Sequence, residues 1–349
     1  LSQYGAWFQR HETWAHEASV WTGYLSRSGY LLRQGSFVAD VAYLVSETVN
    51  IADRFREETP SVPEGYAYDF VNRDVVCSGS FGYKALMIDP EVKYMSPELL
   101  EGLHSLVVRG VILVGSEPEA SLGLHNDENR FRELVDDIWH SGRRNVVRFD
   151  EAGKALADSG AAKDVDFGPA GTEGLGFVHR RLEDGELYFI SSVRDSSMIL
   201  PVSFNVYGRK PQILHADSGV VEDAPYRMEK GRTTVYLDMG ERDAQFILFG
   251  ESTGMVERSA AKASLVSEEN LDGAWTVRFQ SGRGAPECVS LDSLVLLSQY
   301  PDSSVRFFSG TATYSRTFKV GAVRKCDRFV LSLGNVFNMA RVKVNGRDC

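Results

Sequence analysis

Phe37-Val-Ala-Asp-Val-Ala-Tyr-Leu-Val45 is a nearly continuous apolar run with the length of one β-strand. A run without polar alternation is typical of a parallel strand that is buried on both faces of its sheet. Two runs of the same kind follow, Lys84-Ala-Leu-Met-Ile-Asp89 and Val111-Ile-Leu-Val-Gly115. The three runs together predict a buried parallel sheet.

Helix signals lie between and after these runs. Ser96-Pro-Glu98 supplies an N-cap, a proline in the first turn and an acid near the N-terminus, and the helix is predicted to run to Gly110. A second helix is predicted over about residues 127–140, and Val146-Val-Arg-Phe149 is a fourth short strand. This alternation predicts a doubly wound α/β domain.

An amphipathic helix is predicted upstream, over residues 13–34. Thr13 is its candidate cap, and Gly35 is positioned to end it. The apolar side chains that recur near one face of this helix are expected in a core; they are Trp14, Ala18, Trp21, Leu25 and Leu32.

Beyond about residue 160 the hydrophobic period changes to two, which is typical of half-buried strands. Gly176-Phe-Val-His-Arg-Arg181 and Leu187-Tyr-Phe-Ile190 flank the turn residues Asp184-Gly185, and this predicts a hairpin. Further strands are predicted at residues 201–206, 211–215, 233–237 and 244–249. Short strands separated by Gly- and Pro-rich turns predict an all-β sandwich.

A charged linker at residues 257–270 leads to a last module that opens at Leu271 with Trp275 as a core anchor. Period-two alternation continues at Tyr314, Arg316 and Phe318, at Phe329, Leu331 and Leu333, and at Val342 and Val344. Asn345-Gly346 is a strong hairpin-turn signal, because both central positions favour positive φ. Only three residues follow it. We expect the returning strand to lie beyond Cys349, and the chain, which begins with Leu1, to be a piece of a longer protein.

Composition excludes several classes of protein. The net charge is −10 and no basic stripe occurs, which argues against nucleic acid as a partner. No apolar run approaches the ~20 residues that span a bilayer, so no membrane partner is expected. The four cysteines are far apart and form no CxxC pair, which argues against a zinc site or a disulfide framework.

Several strings resemble the α-L-rhamnosidases of glycoside hydrolase family 106, and together they cover essentially the whole chain. The first is Tyr30-Leu-Leu-Arg-Gln-Gly-Ser-Phe-Val-Ala-Asp-Val-Ala-Tyr43, and Tyr66-Ala-Tyr-Asp-Phe-Val-Asn72 follows it. Phe177-Val-His-Arg-Arg181 is similar to the middle β-region of that family. Phe308-Ser-Gly-Thr-Ala-Thr-Tyr-Ser-Arg-Thr-Phe318 with Val342-Lys-Val-Asn-Gly-Arg347 resembles its galactose-binding-like jelly roll.

The resemblance implies the C-terminal portion of a multidomain enzyme that combines α/β and all-β domains. Residues 1–36 would be the last turn of a catalytic (β/α)₈ barrel, and residues 37–160 a doubly wound domain of the flavodoxin or glutamine-amidotransferase type. Residues 161–255 would form the β-sandwich, and residues 270–349 an incomplete galactose-binding-like jelly roll.

The resemblance also implies a chemistry. Family members use two glutamates in an inverting reaction, one as general acid and one as general base. By the family pattern both precede Leu1, so the catalytic residues of this chain are unknown and the piece alone is expected to be inactive. The expected partner is a rhamnose-containing poly- or oligosaccharide. No cofactor is expected in this segment, calcium is implied in the upstream barrel, and a periplasmic or extracellular location is implied for the enzyme.

The candidate substrate-binding residues are Trp7, Arg10, His11 and Glu12. They precede the first helix, and a loop that follows a barrel strand faces the active site. An aromatic face with charged hydrogen-bonding groups suits a sugar subsite. The alternative is that Trp7 packs beneath the barrel while Arg10 is solvated. Trp7 also stands where the family pattern has histidine, which leaves the exact sugar open.

Several other residues have side chains that could carry chemistry. Glu12, Glu17 and Glu47 are candidate acids, but one carboxylate without a partner is not a glycosidase site. For Glu17, which lies within the predicted helix, a solvated face or a salt bridge is the alternative. Cys77 lacks the preceding glycine of an amidotransferase elbow, and we interpret its domain as structural. His179 and His215 are interpreted as satisfied strand residues. Four aspartates lack the spacing of a calcium loop; they are Asp164, Asp166, Asp217 and Asp223.

Two other functions stay open at this point. A non-catalytic carbohydrate-binding or scaffold protein is one, because sandwiches and jelly rolls often only bind. A β-galactosidase-like hydrolase is the other, because it shares a barrel, an amidotransferase-like domain and β-modules.

Overall fold

The structure is a computed structural model that describes residues 12, 14–48, 61–123, 127–259, 266–321, 329–336 and 339–349. The chain forms two compact units, one comprising Thr22–Ala261 and the other comprising Leu1–Trp21 with Lys262–Cys349. It is a mixed α/β protein with both parallel and antiparallel sheets.

The first half of the chain alternates between helices and short strands. In chain order the elements are α1 (Ala18–Leu32), β1 (Ser36–Phe37), β2 (Val41–Leu44), β3 (Tyr68–Val71), α2 (Arg73–Cys77), β4 (Ala85–Ile88), β5 (Tyr94–Met95), α3 (Pro97–Val108), β6 (Ile112–Val114), β7 (Ala120–Ser121), α4 (Glu128–Val135), β8 (Val146–Val147) and α5 (Ala152–Asp158).

Five of these strands form one parallel sheet in the order β3-β2-β4-β6-β8. All residues of β2, β4 and β6 are buried, as expected for strands that are covered on both faces. The predicted parallel runs are therefore confirmed. Strand β3 was missed, because the alternation of Tyr68, Asp69 and Phe70 hides an edge strand behind a polar residue.

Helix α3 forms as its sequence predicts. The Ser96 hydroxyl accepts a hydrogen bond from the Leu99 amide at 3.2 Å, and Pro97 occupies the first helical position. The buried face of α3 consists of Leu99, Leu100, Leu103, Leu106 and Val107. The second predicted helix begins at Asp127, which caps α4, and it ends in a π-helical turn at Asp136–His140.

The run at residues 37–45 is two strands rather than one, which corrects the single strand predicted there. Ser36 and Phe37 pair antiparallel with Arg181 and Arg180, whereas Val41–Leu44 enters the parallel sheet. Gly35 makes this turn possible. Its φ is +56°, and a Cβ at this position would lie 2.0 Å from the Arg181 carbonyl oxygen.

The next elements are all strands. They are β9 (Val165–Asp166), β10 (Leu175–Arg181), β11 (Glu186–Ser192), β12 (Met198–Phe204), β13 (Arg209–Leu214), β14 (Val221–Asp223), β15 (Tyr226–Glu229), β16 (Arg232–Met239), β17 (Ala244–Ser252) and β18 (Glu257–Arg258). The predicted hairpin around Asp184-Gly185 is confirmed as β10 and β11, which pair over seven residues each.

These strands form two sheets that share one core. The first has the order β1-β10-β11-β17-β13-β14, and the second has the order β18-β15-β16-β12-β9. Tyr188 and Phe249 from the first sheet meet Phe204 from the second, with ring centroids 4.7 to 5.8 Å apart. These edge-to-face contacts fix the two sheets against each other.

Helix α1 packs on the outer side of the first sheet through a face that includes Leu32, as predicted, but not Trp21 and Leu25. Tyr24, Leu31 and Leu32 contact the cluster that contains Leu187, Ala216 and Phe246. Trp21 and Leu25, which were expected in a core, are 49% and 47% exposed. Arg27 explains the orientation, since its guanidinium donates to the Ala216 and Asp217 carbonyls at 2.5 Å each.

The C-terminal segment contains β19 (Trp275–Phe279), β20 (Cys288–Leu291), α6 (Ser303–Arg306), β21 (Ala312–Ser315), β22 (Lys343–Val344) and β23 (Arg347–Asp348). Strands β20, β19 and β21 form a small sheet, and Trp275 packs against its core with the Arg316 guanidinium 5.4 Å from the ring centroid. This confirms Trp275 as a core residue.

Two predictions for this segment need correction. Phe329, Leu331 and Leu333 were expected to form a strand, but they lie outside any strand and are 61%, 44% and 46% exposed. The Asn345-Gly346 turn is confirmed, with φ of 52° and 79°. Its returning strand was expected beyond Cys349, yet β23 already pairs with β22 inside the chain.

Candidate functional site

The first place to seek a site is the carboxyl edge of the parallel sheet. The strand order reverses between β2 and β4, and ligands of open α/β sheets bind at such a switch point. Glu47 follows β2 at this place. Its carboxylate accepts hydrogen bonds from the Ser96 amide at 2.8 Å and from the Ser96 hydroxyl at 2.9 Å.

These contacts show that Glu47 stabilises the N-terminus of α3. Ser96 caps α3, so the carboxylate lies at the positive N-terminal end of that helix. The Arg73 guanidinium approaches it at 3.5 Å, and only 12% of the Glu47 side chain is exposed. A carboxylate that is held by three donors and mostly buried serves the helix terminus rather than a substrate.

Cys77 lies at the end of α2, beside the same edge. Its sulfur packs against Gly102 of α3, where a Cβ would lie only 2.9 Å from Sγ, and the thiol donates to the Glu98 carbonyl at 3.4 Å. The partial burial of the thiol raises the pKa of Cys77, and the carboxylate of Glu47 adds to this effect. A thiol with a raised pKa is a poor nucleophile at neutral pH.

The predicted substrate-binding cluster cannot be located in full. Trp7, Arg10 and His11 lie outside the described residues, so their role stays a prediction. Glu12 opens a short 3₁₀ turn, in which its carbonyl accepts from the Ala15 amide at 3.1 Å. Its candidacy as a sugar ligand also stays a prediction.

Glu17, another candidate acid, forms an ion pair. Its carboxylate accepts from the Arg341 guanidinium at 2.7 Å. A salt bridge was the alternative considered for this glutamate, and that alternative is the one observed.

The sandwich contains a buried polar network whose members the sequence did not connect with one another. The His179 ring lies between two carboxylates, with Nδ1 at 2.7 Å from Asp164 Oδ2 and Nε2 at 2.9 Å from Glu186 Oε2. The Tyr188 hydroxyl donates to the second oxygen of Asp164 at 2.7 Å, and the Tyr188 ring stacks on His179 at 4.0 Å. The side chain of His179 is 4% exposed.

The network joins the two sheets of the sandwich. Asp164 directly precedes β9 in one sheet, while His179 and Tyr188 belong to β10 and β11 in the other. Each nitrogen of the His179 ring therefore contacts a different carboxylate, Asp164 on one side and Glu186 on the other. Burial, together with the Asp164 carboxylate, raises the pKa of Tyr188 far above its ordinary value. The group resembles a catalytic triad in composition, but its burial keeps substrate away.

An open cleft of about 520 Å³ lies beside α5. Its lining is mostly small, with Gly153, Ala157 and Gly160 on one side and Tyr66 on the other. The Tyr66 hydroxyl is engaged with the Ala161 carbonyl at 2.8 Å. Glu64 and Lys163 are the charged groups of this lining, and the Glu64 carboxylate accepts from the Thr172 hydroxyl at 3.2 Å.

The described residues offer neither a metal site nor a membrane-spanning helix. No three His, Cys, Asp or Glu side chains of the described residues are grouped so that they could hold a metal ion. Asp164, one of the aspartates considered for calcium, instead binds His179 and Tyr188. Across the described ranges, every helix is too short or too polar to cross a bilayer.

Comparison with known proteins assigns the class first, which is that of the glycoside hydrolases. The model of glycoside hydrolase family 106, described as alpha-L-rhamnosidase, matches residues 1–228. The chain therefore belongs to the family 106 α-L-rhamnosidases, and the resemblance stated from the sequence is confirmed.

A solved structure of a rhamnosidase from Novosphingobium sp. PP1Y is similar, with a TM-score of 0.80 and 31% identity over 90% of this chain. A Formosa agariphila protein, named provisionally as a β-glucuronidase, is 27% identical over 285 residues, or 76% of this chain. The chain spans 32% of the rhamnosidase and 23% of the Formosa protein. A β-galactosidase from Bacillus circulans is similar at a TM-score of 0.44 and 10% identity over 69% of this chain and 46% of its own, too weak a likeness to support an argument.

Proposed function

We propose that this chain is the C-terminal portion of an enzyme that releases α-L-rhamnose from rhamnose-containing poly- or oligosaccharides or glycosides. The observation that carries the proposal is the likeness to the Novosphingobium rhamnosidase, at 31% identity and a TM-score of 0.80 over 90% of this chain. The family match over residues 1–228 supports the same substrate class.

The proposed mechanism is inversion by two glutamates that lie outside this chain. Such a reaction needs a general acid and a general base ~6.5–9.5 Å apart, with a water between the base and the sugar. Glu17 is paired with Arg341 and Glu47 with Ser96, so neither is arranged as half of such a pair. The piece alone is then inactive, and it contributes support and sugar contacts.

The proposed domain assignment follows from the same resemblance. Residues 1–36 complete a catalytic barrel, residues 37–160 form an amidotransferase-like accessory domain, residues 161–255 form a sandwich, and residues 270–349 form part of a jelly roll. The strand order of the parallel sheet supports the amidotransferase-like assignment of residues 37–160. Its five strands, β3-β2-β4-β6-β8, follow the flavodoxin-like order 2-1-3-4-5 when they are numbered along the chain. The enzyme acts in the periplasm or outside the cell, and any calcium lies in the barrel.

A second candidate activity is the hydrolysis of β-glucuronides. The observation that favours it is the name of the Formosa protein, which is 27% identical to this chain. Rhamnose is a neutral 6-deoxy sugar whereas glucuronic acid carries a carboxylate, and the two differ in ring configuration, so one assay distinguishes the two activities.

The test compares a longer protein, which contains this chain and the sequence upstream of it, with this chain alone. Both are incubated with an aryl α-L-rhamnoside and an aryl β-D-glucuronide. Rhamnose release by the longer protein alone is the expected result, with the β-anomer as the first product by NMR. Release by this chain alone would contradict the placement of the glutamates, and release of glucuronate only would favour the second activity. Binding of polysaccharide without any release would favour a carbohydrate-binding protein.

A further inference from the structure

The two outer faces of the sandwich differ in character. The outer face of the first sheet is apolar, and α1 packs on it through Tyr24, Leu31 and Leu32. The outer face of the second sheet carries the alternate side chains of β12, β15 and β16. Tyr236 stands at its centre and is 41% exposed.

An apolar row crosses this second face at Tyr236. Pro201 of β12 is the register partner of Tyr236 on one side. Pro225 lies on the other side, where its carbonyl accepts from the Tyr236 amide at 3.1 Å. With strands ~4.8 Å apart, the row is about 10 Å wide, which matches two pyranose rings laid along it.

Two residues further along the strands, or about 7 Å away, other side chains border the row. On one side Asp238 lies opposite Ile199, which is 64% exposed and extends the apolar surface. Ser203, Thr234 and Arg227 lie opposite each other on the other side. A saccharide presents the same pattern, with an apolar C–H face and hydroxyls at its rim, and an aromatic ring with flanking acceptors and donors complements it.

The charges of this face select its occupant. Asp238, Arg227 and Glu229 are all exposed around Tyr236. A second protein copy would have to desolvate these charges against itself, whereas hydroxyls hydrogen-bond to both signs of charge. Resting on the proposed function, we propose that the face of the second sheet centred on Tyr236 is a docking surface for the rhamnose-containing polysaccharide substrate.

The test is affinity electrophoresis through gels that contain soluble rhamnogalacturonan, with dextran gels as the polysaccharide control. The proteins are this chain and the longer enzyme, each as wild type, Tyr236→Ala, Tyr236→Phe and Tyr207→Ala. Tyr207 is a matched control, because it is 55% exposed and lies in the loop after β12. Removal of an exposed stacking ring is expected to weaken retention by roughly tenfold, and Tyr236→Phe keeps most of it.

Retention of the wild type and Tyr207→Ala in rhamnogalacturonan, with loss for Tyr236→Ala and little retention in dextran, supports the proposal. Equal retention of both alanine variants, no retention of the wild type, or equal retention in dextran overturns it. A dimer in solution that Tyr236→Ala abolishes, without retention, would instead assign the face to a second copy. Melting temperatures report on folding of each variant. Cleavage of the aryl rhamnoside by the longer protein is measured separately, because it tests the proposed function and not this surface.

Discussion

His179→Ala should destabilise the sandwich strongly, because it removes the buried ring that joins two carboxylates. Asp164 and Glu186 are 12% and 22% exposed beside the ring, and both would lose it as a partner. Loss of one partner from a buried ion pair costs about 3–5 kcal/mol. The Arg181 guanidinium at 3.3 Å continues to pair with Glu186, so we expect a loss near the lower end, about 3 kcal/mol.

His215→Ala is the matched control. His215 also pairs with a glutamate, Glu222, at 2.9 Å, but its side chain is 29% exposed. An exposed pair of this kind contributes about 0–1 kcal/mol. The two substitutions delete the same atoms and differ mainly in burial and in the number of carboxylates left behind.

The measurement is hydrogen exchange of peptides from β10 and β11 in the intact chain, read as the free energy of opening of the sandwich. Thermal melting of both variants provides an independent value. A loss for His179→Ala no larger than that for His215→Ala would refute the reasoning, and it would mean that the network contributes little net stability.

The remaining predictions concern single carboxylates. Hydrogen bonds from Lys210, Arg258 and Gln212 lower the pKa of Asp223 to about 2. Its stabilising contribution is therefore complete above the pKa of the unfolded chain and is lost as pH falls toward about 2. Asp223→Asn should make the free energy of unfolding less dependent on pH in that interval, and an NMR titration of the Asp223 carboxyl with a midpoint near 4 would contradict this prediction. Glu47→Gln should weaken the contacts at the start of α3 and lower the free energy of unfolding in a urea titration by about 1–2 kcal/mol. Turnover of the aryl rhamnoside by the longer protein should stay unchanged. Abolished turnover with unaltered stability would instead make Glu47 catalytic.

Local signals in the sequence were sufficient where neighbouring residues decide the structure. Ser96 and Pro97 start α3 because the cap and the first turn are made by adjacent residues. Asn345-Gly346 forms its turn because these two residue types tolerate positive φ whatever their surroundings. The parallel strands were recognisable because burial on both faces leaves an apolar run that needs no partner to be identified.

Long-range contacts explain what the sequence did not predict. Trp21 and Leu25 were wrongly placed on the packing face of α1, because Arg27 anchors the helix to carbonyls 189 and 190 residues away. The strand expected at Phe329, Leu331 and Leu333 has the right alternation, yet alternation alone supplies no hydrogen-bonding neighbour. His179 was recognised as a satisfied strand residue, but its partner Asp164 lies in the other sheet, which no local pattern reveals.

The short link between β1 and β2 has a consequence for dissecting this protein into parts. Only three residues, 38–40, separate β1 of the sandwich from β2 of the parallel sheet. Just before β1, the Arg180 guanidinium donates hydrogen bonds to the Gln34 and Gly35 carbonyls. A cut placed between residues 36 and 37 would divide β1 and leave β10 with a bare edge. Bare edges recruit strands from other molecules. An excised sandwich is therefore expected to aggregate unless residues 34–37 travel with it.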